Sequence, residues 1–255
     1  MTTAEAPAGR ATPPESARRR PNLATALTAE LVGRIVRGQY PPGMSLPTEL
    51  ALCDAFSVSR TVVREAVKLL QAKGLVQIRH GLGTTVSSPL TWNMLDEVVL
   101  GAAIAEADGL DVLDDLVVTR RLLEADMANA AARWAEPDVI DRLAALVDGM
   151  DGLVGDPVAY AGHDRAFHDL IMQTSGNRIA RAVVQALESQ VLHTARYMGK
   201  PTKDLCEASN RGHRRVSECI SAHDPAGAAR AMFDHITDAW LVRRGGQTDP
   251  DRLRR

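Results

Sequence analysis

The sequence predicts a mostly α-helical protein in which a small winged helix-turn-helix domain precedes an all-helical bundle. The chain has 255 residues, more than a typical domain of roughly 100 to 200 residues, so two domains are expected. Three amphipathic helical segments and one alternating hairpin follow one another within residues 22–88, which is the order of a winged helix-turn-helix. Beyond Pro89 the pattern is helical and contains no strand signal, as is typical of a bundle.

The elements of the first domain follow from apolar spacing and from cap residues. The predicted helices run from Leu23 to a stop at Gly38, from Pro47 to Ser57, and from a cap at Ser59 to a stop at Gly74. Side chains then alternate between apolar and polar over residues 75–79, and TVSS returns after the turn HGLGT, so a β-hairpin is predicted.

Helical periodicity also predicts the elements of the second domain. The segments cover residues 94–106, 110–134, 137–151, 157–174, 178–199, 203–222 and 225–242. Two starts combine a cap residue with proline at the first helical position, namely Asp156-Pro157 and Asp224-Pro225. The predicted organisation is a disordered tail over 1–21, the winged domain over 22–88, a linker and connecting helix over 89–104, the helical domain over 105–242 and a tail over 243–255.

Charge is unevenly distributed although the net charge is only -2. Residues 22–88 carry seven Lys or Arg against four acidic residues, whereas residues 89–255 carry 19 basic and 26 acidic residues. A basic module favours a polyanion, and the acidic remainder confines such binding to the first domain. The chain has no apolar run near the roughly 20 residues that span a membrane, no signal peptide and no paired cysteines, so we expect a cytoplasmic protein with reduced thiols and no membrane partner.

The third predicted helix has one basic face. Arg60, Arg64 and Lys68 are spaced four residues apart and therefore project from one side, opposite the apolar residues. The N-terminal residues of a recognition helix meet base edges, and arginine donates two hydrogen bonds to guanine. Ser59 and Thr61 lie at the helix start, where short hydroxyl side chains suit phosphates. An isolated pair of arginines usually faces water, but two preceding helices and a following hairpin favour DNA binding.

This stretch resembles the N-terminal domain of GntR-type transcription regulators, with the turn PG..LP.E, the helix VSR..VREA and the hairpin GLV....G.GT in register. The resemblance implies DNA contacts from the recognition helix and from the hairpin tip, called the wing. These contacts are Ser59, Arg60, Thr61, Arg64, His80 and Gly81. Leu50 departs from the pattern, because the family usually has arginine directly after the glutamate of LP.E. One expected contact is therefore missing, and we expect a different operator preference.

A second set of residues lies on three predicted helices of the bundle. Asp164 and His168 are four residues apart, which places a carboxylate and an imidazole side by side. His213 and His235 lie on apolar-facing stretches of the last two helices. A single buried histidine is more often a hydrogen-bonded core residue than a metal ligand, but three helices can direct all four side chains into one cavity.

The pattern D..FH, followed by two histidines 22 positions apart, resembles the metal-binding form of the FCD ligand domain in the FadR subgroup of the GntR family. The segment TRRLLEADMANAAARWA, residues 119–135, resembles the first long helix of that domain. The resemblance implies a divalent metal ion, with zinc expected ahead of manganese or nickel, and positions open to a carboxylate effector. Its ligands are Asp164, His168, His213 and His235.

Two further residues are candidate effector contacts. Arg120 occupies the place of an arginine that is often aimed at the effector in the family, although a surface ion pair with Glu124 is the alternative. Asn177 either faces the cavity or caps a helix. The segment TWNMLDEVVL resembles the linker of members that respond to sugar acids such as galactonate or gluconate, which points weakly to the effector class.

Together these patterns predict a repressor that binds an inverted-repeat operator as a homodimer and responds to a small carboxylate. The domain over 105–242 then binds the effector and forms the dimer. Two alternatives remain open at the level of sequence. A metal ion with open positions also activates water in enzymes, but no base is marked beside the cluster, so we do not expect an enzyme. The other alternative is an architectural DNA-binding protein with a structural metal ion.

Overall fold

The computed structural model describes residues 23–79, 83–106, 108–192, 194, 197 and 202–244. The chain divides into two compact units, with the boundary between Thr91 and Trp92. The described residues form ten α-helices and one two-stranded antiparallel sheet, so the predicted fold class is confirmed. The predicted N-terminal tail lies outside the described residues, as does all but the start of the predicted C-terminal tail.

The first unit contains three helices followed by a hairpin. They are α1 (Leu23–Val36), α2 (Glu49–Phe56), α3 (Arg60–Ala72), β1 (Val76–Arg79) and β2 (Gly83–Val86). The strands pair antiparallel, with Val76 opposite Val86. Helix α3 buries its apolar side against α1, and its polar side is exposed. The chain therefore folds in the order that the sequence predicts.

The turn between α2 and α3 sets the direction of the recognition helix. Ser57 has a φ of 52°, a left-handed conformation that ends α2, and its amide bonds to the carbonyl of Cys53. Ser59 then begins α3, since its side chain accepts a hydrogen bond from the amide of Val62 at 3.4 Å. The exposed N-terminal turn of α3 follows directly from these two serines.

The second unit is formed by helices alone in its described part. They are α4 (Glu97–Ala105), α5 (Gly109–Trp134), α6 (Pro137–Asp151), α7 (Pro157–Thr174), α8 (Arg178–Val191), α9 (Lys203–Ser221) and α10 (Pro225–Arg243). Helix α4 starts three residues later than predicted, because Asp96 caps it by accepting hydrogen bonds from two amides. Helix α8 ends at Val191, eight residues before the predicted end.

Helix α5 is the centre of this unit. It packs against α4, α7, α8, α9 and α10, and its buried side includes charged residues as well as apolar ones. The buried Asp114 accepts a hydrogen bond from Nε1 of Trp240 at 2.7 Å, which attaches the end of α10 to the start of α5. Further along the same side, α5 presents Arg120 and Glu124 to the interior. Polar groups at this depth require partners, and these partners define the site.

Candidate nucleic-acid interface and metal centre

The predicted DNA contacts of α3 lie on its exposed side. Arg60, Thr61 and Arg64 are exposed, and Ser59 caps the helix at its start. Nε of Arg64 donates to Oε2 of Glu49 at 2.9 Å, while the Arg64 side chain remains 65% exposed. Glu49 therefore directs the guanidinium without covering it. Such an arrangement leaves the other N–H groups of Arg64 open to a base edge or a phosphate.

The remaining DNA-contact predictions concern α2 and the wing. Leu50 is 54% exposed at the start of α2, so an apolar side chain stands on the surface beside Glu49. Arginine at this position would add a positive charge there. His80 and Gly81 lie outside the described residues.

The four predicted metal ligands come together in the interior of the second unit. Asp164 and His168 lie on α7, His213 on α9 and His235 on α10. One ligand atom from each lies within 4.8 Å of the others. Nε2 of His213 is 3.2 Å from Oδ1 of Asp164, and Nε2 of His235 is 3.3 Å from Nε2 of His168. We call these four side chains the Asp-His cluster.

The Asp-His cluster fits a divalent metal ion. Ligand atoms about 2.1 Å from a metal ion lie roughly 3 to 4 Å from one another. The two shortest separations in the cluster, 3.2 and 3.3 Å, fall in this range, and all four ligand atoms lie within 4.8 Å of one another. Nε2 of His213 is buried and has no hydrogen-bond partner in the described part of the chain, although Asp164 is close to it. A buried polar atom without a partner is costly, and a metal ion would satisfy it. Three imidazoles and one carboxylate are ligands that suit zinc.

The histidine nitrogens that point away from the cluster are held by other residues. Nδ1 of His168 contacts Oε2 of Glu124 at 2.6 Å, and Nδ1 of His213 lies 3.3 Å from the hydroxyl oxygen of Tyr160. Metal-binding histidines commonly have their second nitrogen held in this way, which fixes the ring and the tautomer. Glu124 and Tyr160 are therefore positioning residues of the candidate metal centre.

Charges around Glu124 keep it ionised. Burial opposes the charged form, but Arg120 and His168 together lower the pKa of Glu124 to about 2. Burial likewise opposes the charged form of His168, yet Glu124 raises the pKa of this imidazole. The pKa of His235 falls well below its usual value, because the ring is buried and lies beside two other histidines. His235 is thus neutral and able to donate a lone pair to a cation.

Arg120 is buried within the bundle and is paired. Its Nε donates to Glu124 at 2.7 Å, its Nη2 lies 2.8 Å from Glu188, and its Nη1 donates to the hydroxyl oxygen of Tyr197 at 2.5 Å. Only 8% of Arg120 is exposed. The surface ion pair considered from the sequence is therefore a buried one. Arg120 acts on the Asp-His cluster indirectly, by holding the carboxylate that contacts His168.

Asn177 lies at the N-terminus of α8. Its Oδ1 accepts a hydrogen bond from the amide of Ala180 at 3.1 Å, and the residue is exposed. This is the capping role that the sequence left open beside a cavity-facing one. Asn177 is not among the residues that line the cavity beside the cluster.

A cavity opens beside the Asp-His cluster. Its volume is about 350 Å³, and its walls come mainly from α7, α9 and α10. Asp164 and His235 belong to the wall, so two of the four candidate ligands face this space. Small-molecule sites typically measure about 300 to 1,000 Å³, which places this cavity at the lower end of the range. A compact ligand would therefore reach the cluster from this side.

Sequence reasoning missed residues whose roles depend on helix packing. Gly212 is one example, because a Cβ at this position would collide with Nδ1 of His235. The His235 ring thus occupies the space that any side chain at position 212 would fill. Tyr160 and Arg243 also escaped notice, although both line the cavity. The sequence could have indicated Tyr160, because it lies four residues before Asp164 and therefore on the same face of the predicted helix.

None of the described helices combines the length and apolar character needed to cross a membrane.

Comparisons with known proteins agree with this architecture. Residues 23–86 match the family described as bacterial regulatory proteins of the gntR family, and residues 115–238 match the FCD domain. The Escherichia coli HTH-type transcriptional regulator YieP is 35% identical over 212 residues, covering 82% of this chain and 90% of that protein. The galactonate operon transcriptional repressor of E. coli is 27% identical over 81% of this chain and 90% of that protein.

A solved structure shows the same fold. Lar of Listeria monocytogenes superimposes with a TM-score of 0.54 at 18% identity, covering 86% of this chain and 95% of that chain. The family consists of transcription regulators, in agreement with the prediction that the protein is not an enzyme. The chain belongs to the GntR family of HTH-type transcriptional regulators and carries an FCD domain, as its sequence predicts.

Proposed function

We propose that this regulator is a repressor controlled by a small organic acid, which binds beside a divalent metal ion held by the Asp-His cluster. The observation that carries this proposal is the convergence of one carboxylate and three imidazoles next to a 350 Å³ cavity. The name of the galactonate operon repressor supports both the repressor role and an acid of the sugar-acid class. Because it acts on DNA, we place the protein in the cytoplasm.

The proposed DNA-binding residues are those of the exposed side of α3 and of the wing. Arg60 and Arg64 would read bases, while Ser59 and Thr61 would contact phosphates at the start of the helix. His80 and Gly81 would contact DNA from the wing. One winged helix reads only a half-site, so we propose a homodimer on an inverted repeat.

Zinc is the metal ion we propose, with manganese and nickel as alternatives. When bound, the ion would offer open coordination positions to a carboxylate. Glu124 and Tyr160 would fix the imidazoles of His168 and His213. Asp164 and His235 would present the centre to the cavity.

The proposed response is a shift between two populations of the regulator. The cluster joins α7, α9 and α10, so an acid bound at its open side contacts three helices at once. A ligand shifts an equilibrium only by its difference in affinity for the two states. We therefore propose that the acid binds more tightly to the state with low operator affinity.

A binding experiment tests this proposal. Zinc-loaded protein is screened against small carboxylates and sugar acids by thermal shift, and acids that bind are tested for release of the protein from DNA upstream of its own gene. His213→Ala should abolish the response to the acid and leave DNA binding without the acid intact. His163→Ala is the matched control, because His163 lies on α7 outside the cluster. A normal acid response in His213→Ala would remove the metal centre from the mechanism.

A further inference from the structure

The cavity beside the Asp-His cluster has a wall of mixed charge. Four arginines and three aspartates line it, and they are Arg165, Arg211, Arg215, Arg243, Asp164, Asp234 and Asp238. One of the aspartates, Asp164, belongs to the cluster and would be neutralised by a divalent cation. The wall then carries more positive than negative charge. A ligand with more than one negative charge is favoured in such a space.

Arg243 is the arginine whose surroundings suit a ligand. It is half-buried on the last turn of α10, and no described carboxylate lies within ion-pair distance of it. Its guanidinium carbon lies 5.8 Å from the centre of the Tyr197 ring. The neighbouring Arg244 differs, because it contacts the buried Asp114. Of these two adjacent arginines, one supports the fold and the other faces the cavity.

The charge of Arg243 reaches the candidate metal centre. Burial raises the pKa of Asp164, but His213 and, to a smaller extent, Arg243 bring it well below its usual value. Arg243 acts in the same direction on the pKa of Tyr160, which burial raises overall. Arg215, by contrast, acts on Asp238 at another part of the wall. Arg243 therefore lines the same cavity as Asp164 and His235 of the cluster, and the two ends of a ligand in that cavity could contact both.

The spacing along α10 gives the distance between Arg243 and His235, which is the cluster residue on the same helix. Arg243 follows His235 by eight residues, which corresponds to about 12 Å along a helix axis. Helical side chains point back toward the N-terminus, so the long Arg243 side chain shortens this distance. Ala239 and Val242 line the cavity between them and leave the space open. A short-chain acid with a charged group at each end would span it.

We propose that Arg243 binds a second anionic group of the effector, so that the effector is a diacid with one carboxylate at the metal centre and the other on Arg243. This inference rests on the proposed function and adds the chemical class of the ligand. A guanidinium binds a carboxylate through two parallel N–H donors, which also fixes the orientation of the acid. Asp164, Asp234 and Asp238 line the same cavity, but none of these carboxylates forms an ion pair with Arg243 in the described part of the chain.

Two matched ligand pairs test the inference on zinc-loaded, full-length protein. In galactarate a second carboxylate replaces the terminal hydroxymethyl group of galactonate. In malate a second carboxylate replaces the terminal methyl group of 2-hydroxybutyrate. Isothermal titration calorimetry should show at least one diacid binding about tenfold to a hundredfold more tightly than its monoacid partner, as expected for a partly buried charge pair. Equal affinities within both pairs would overturn the proposal, as would binding of neither diacid.

Variants then assign the preference to Arg243. Arg243→Gln should lower diacid affinity to that of the monoacid, while zinc still binds at least as tightly as in the wild type and the unfolding temperature without ligand stays unchanged. Arg215→Gln removes the same charge from another part of the wall and should retain the preference. A diacid preference that survives in Arg243→Gln, or that is lost equally in both variants, would overturn the role of Arg243. If monoacids bind in a zinc-dependent manner and Arg243→Gln does not change diacid affinity, the proposed function stands and only this inference fails. If no acid in the wider screen binds, the proposed function fails as well.

Discussion

Glu124 lies between Arg120 and His168 in the interior of the bundle, and this position connects it to the candidate metal centre. One carboxylate oxygen contacts Nδ1 of His168, and the other accepts from Nε of Arg120. The two contacts turn the imidazole so that Nε2 faces the cluster. A residue that never touches the metal ion can thus decide how well the ion binds.

Glu124→Gln should reduce zinc affinity by about tenfold to a hundredfold, the usual cost of losing such a supporting carboxylate. Competition with a chromophoric chelator measures this change. Asp148→Asn is the control, because Asp148 is exposed and its ion pair in the described part of the chain is with Arg214 on the surface. Zinc affinity equal to wild type in Glu124→Gln would show that His168 is oriented without its partner.

Arg64→Ala should weaken operator binding by about 1 to 3 kcal/mol if the residue reads a base. The reason is the exposed guanidinium that Glu49 directs outward from α3. Fluorescence anisotropy with a labelled operator measures the change, and Arg37→Ala serves as a control because it removes an exposed arginine elsewhere in the first unit. Unchanged affinity for Arg64→Ala would exclude the base contact.

At the residue scale, what the sequence predicts depends on how local the contact is. Asp164 and His168 share one helix, so their spacing alone places them together. Glu124 reaches His168 across 44 residues, and Arg120 reaches Tyr197 across 77. Such contacts depend on how α5 crosses its neighbours, which local periodicity does not encode. For this reason the sequence does not show that Arg120 is enclosed in a buried ion-pair network, and its role as an effector contact stays a prediction.

At the scale of elements, the close contact of α9 and α10 positions two of the cluster histidines. Gly212 makes this contact possible, because the ring of His235 lies against its backbone. The next residue along α9 is His213, whose ring centre is 4.2 Å from that of His235. A glycine within a helix usually lowers stability by about 0.5 to 1 kcal/mol relative to alanine, so its presence here has a steric reason.

Gly212→Ala should therefore displace the His235 ring and weaken zinc binding, since the new methyl group would meet Nδ1. Zinc titration measures the loss, and circular dichroism follows the helix content. Gly162→Ala is the matched control, because an added Cβ there meets open space on α7. That variant should be stabilised by about 0.5 to 1 kcal/mol with normal zinc affinity. Full zinc affinity in Gly212→Ala would contradict the steric role.

Element order was predictable from the sequence, whereas some element ends were not. The proline starts at Pro157 and Pro225 agree with the predicted first residues of α7 and α10, because a cap followed by proline is a strong local signal. The start of α4 was placed too early, since the apolar pattern continues through the capping residue Asp96. Caps decide helix ends more reliably than periodicity does.

At the scale of the whole molecule, the two units have separate cores and different charge. Apolar residues of α1 and α3 form the core of the first unit, and α5 with the helices around it forms that of the second. The Asp-His cluster lies within the second core and belongs to three of its helices. Metal binding should therefore stabilise the second unit and leave the first unchanged.

Removing zinc with a chelator should lower the unfolding temperature of the second unit by roughly 5 to 10 °C. Metal at a hundredfold excess over its dissociation constant adds about 2.7 kcal/mol to the free energy of unfolding. Each kcal/mol raises the unfolding temperature by about 2 to 4 °C for a domain of this size. Differential scanning calorimetry measures the shift. The transition of the first unit should not move, and an unchanged second transition would exclude the metal centre.

The buried position of the Asp-His cluster would give a bound metal ion a role in the cellular level of the protein as well as in the proposed response to the acid. Among the described residues, only Asp164 lies near Nε2 of His213, and three histidine rings are crowded together in the core. A newly made chain in a metal-starved cell would then spend more time partly unfolded, where proteases degrade it. Genes controlled by this repressor would be expressed under metal limitation even when the acid is absent.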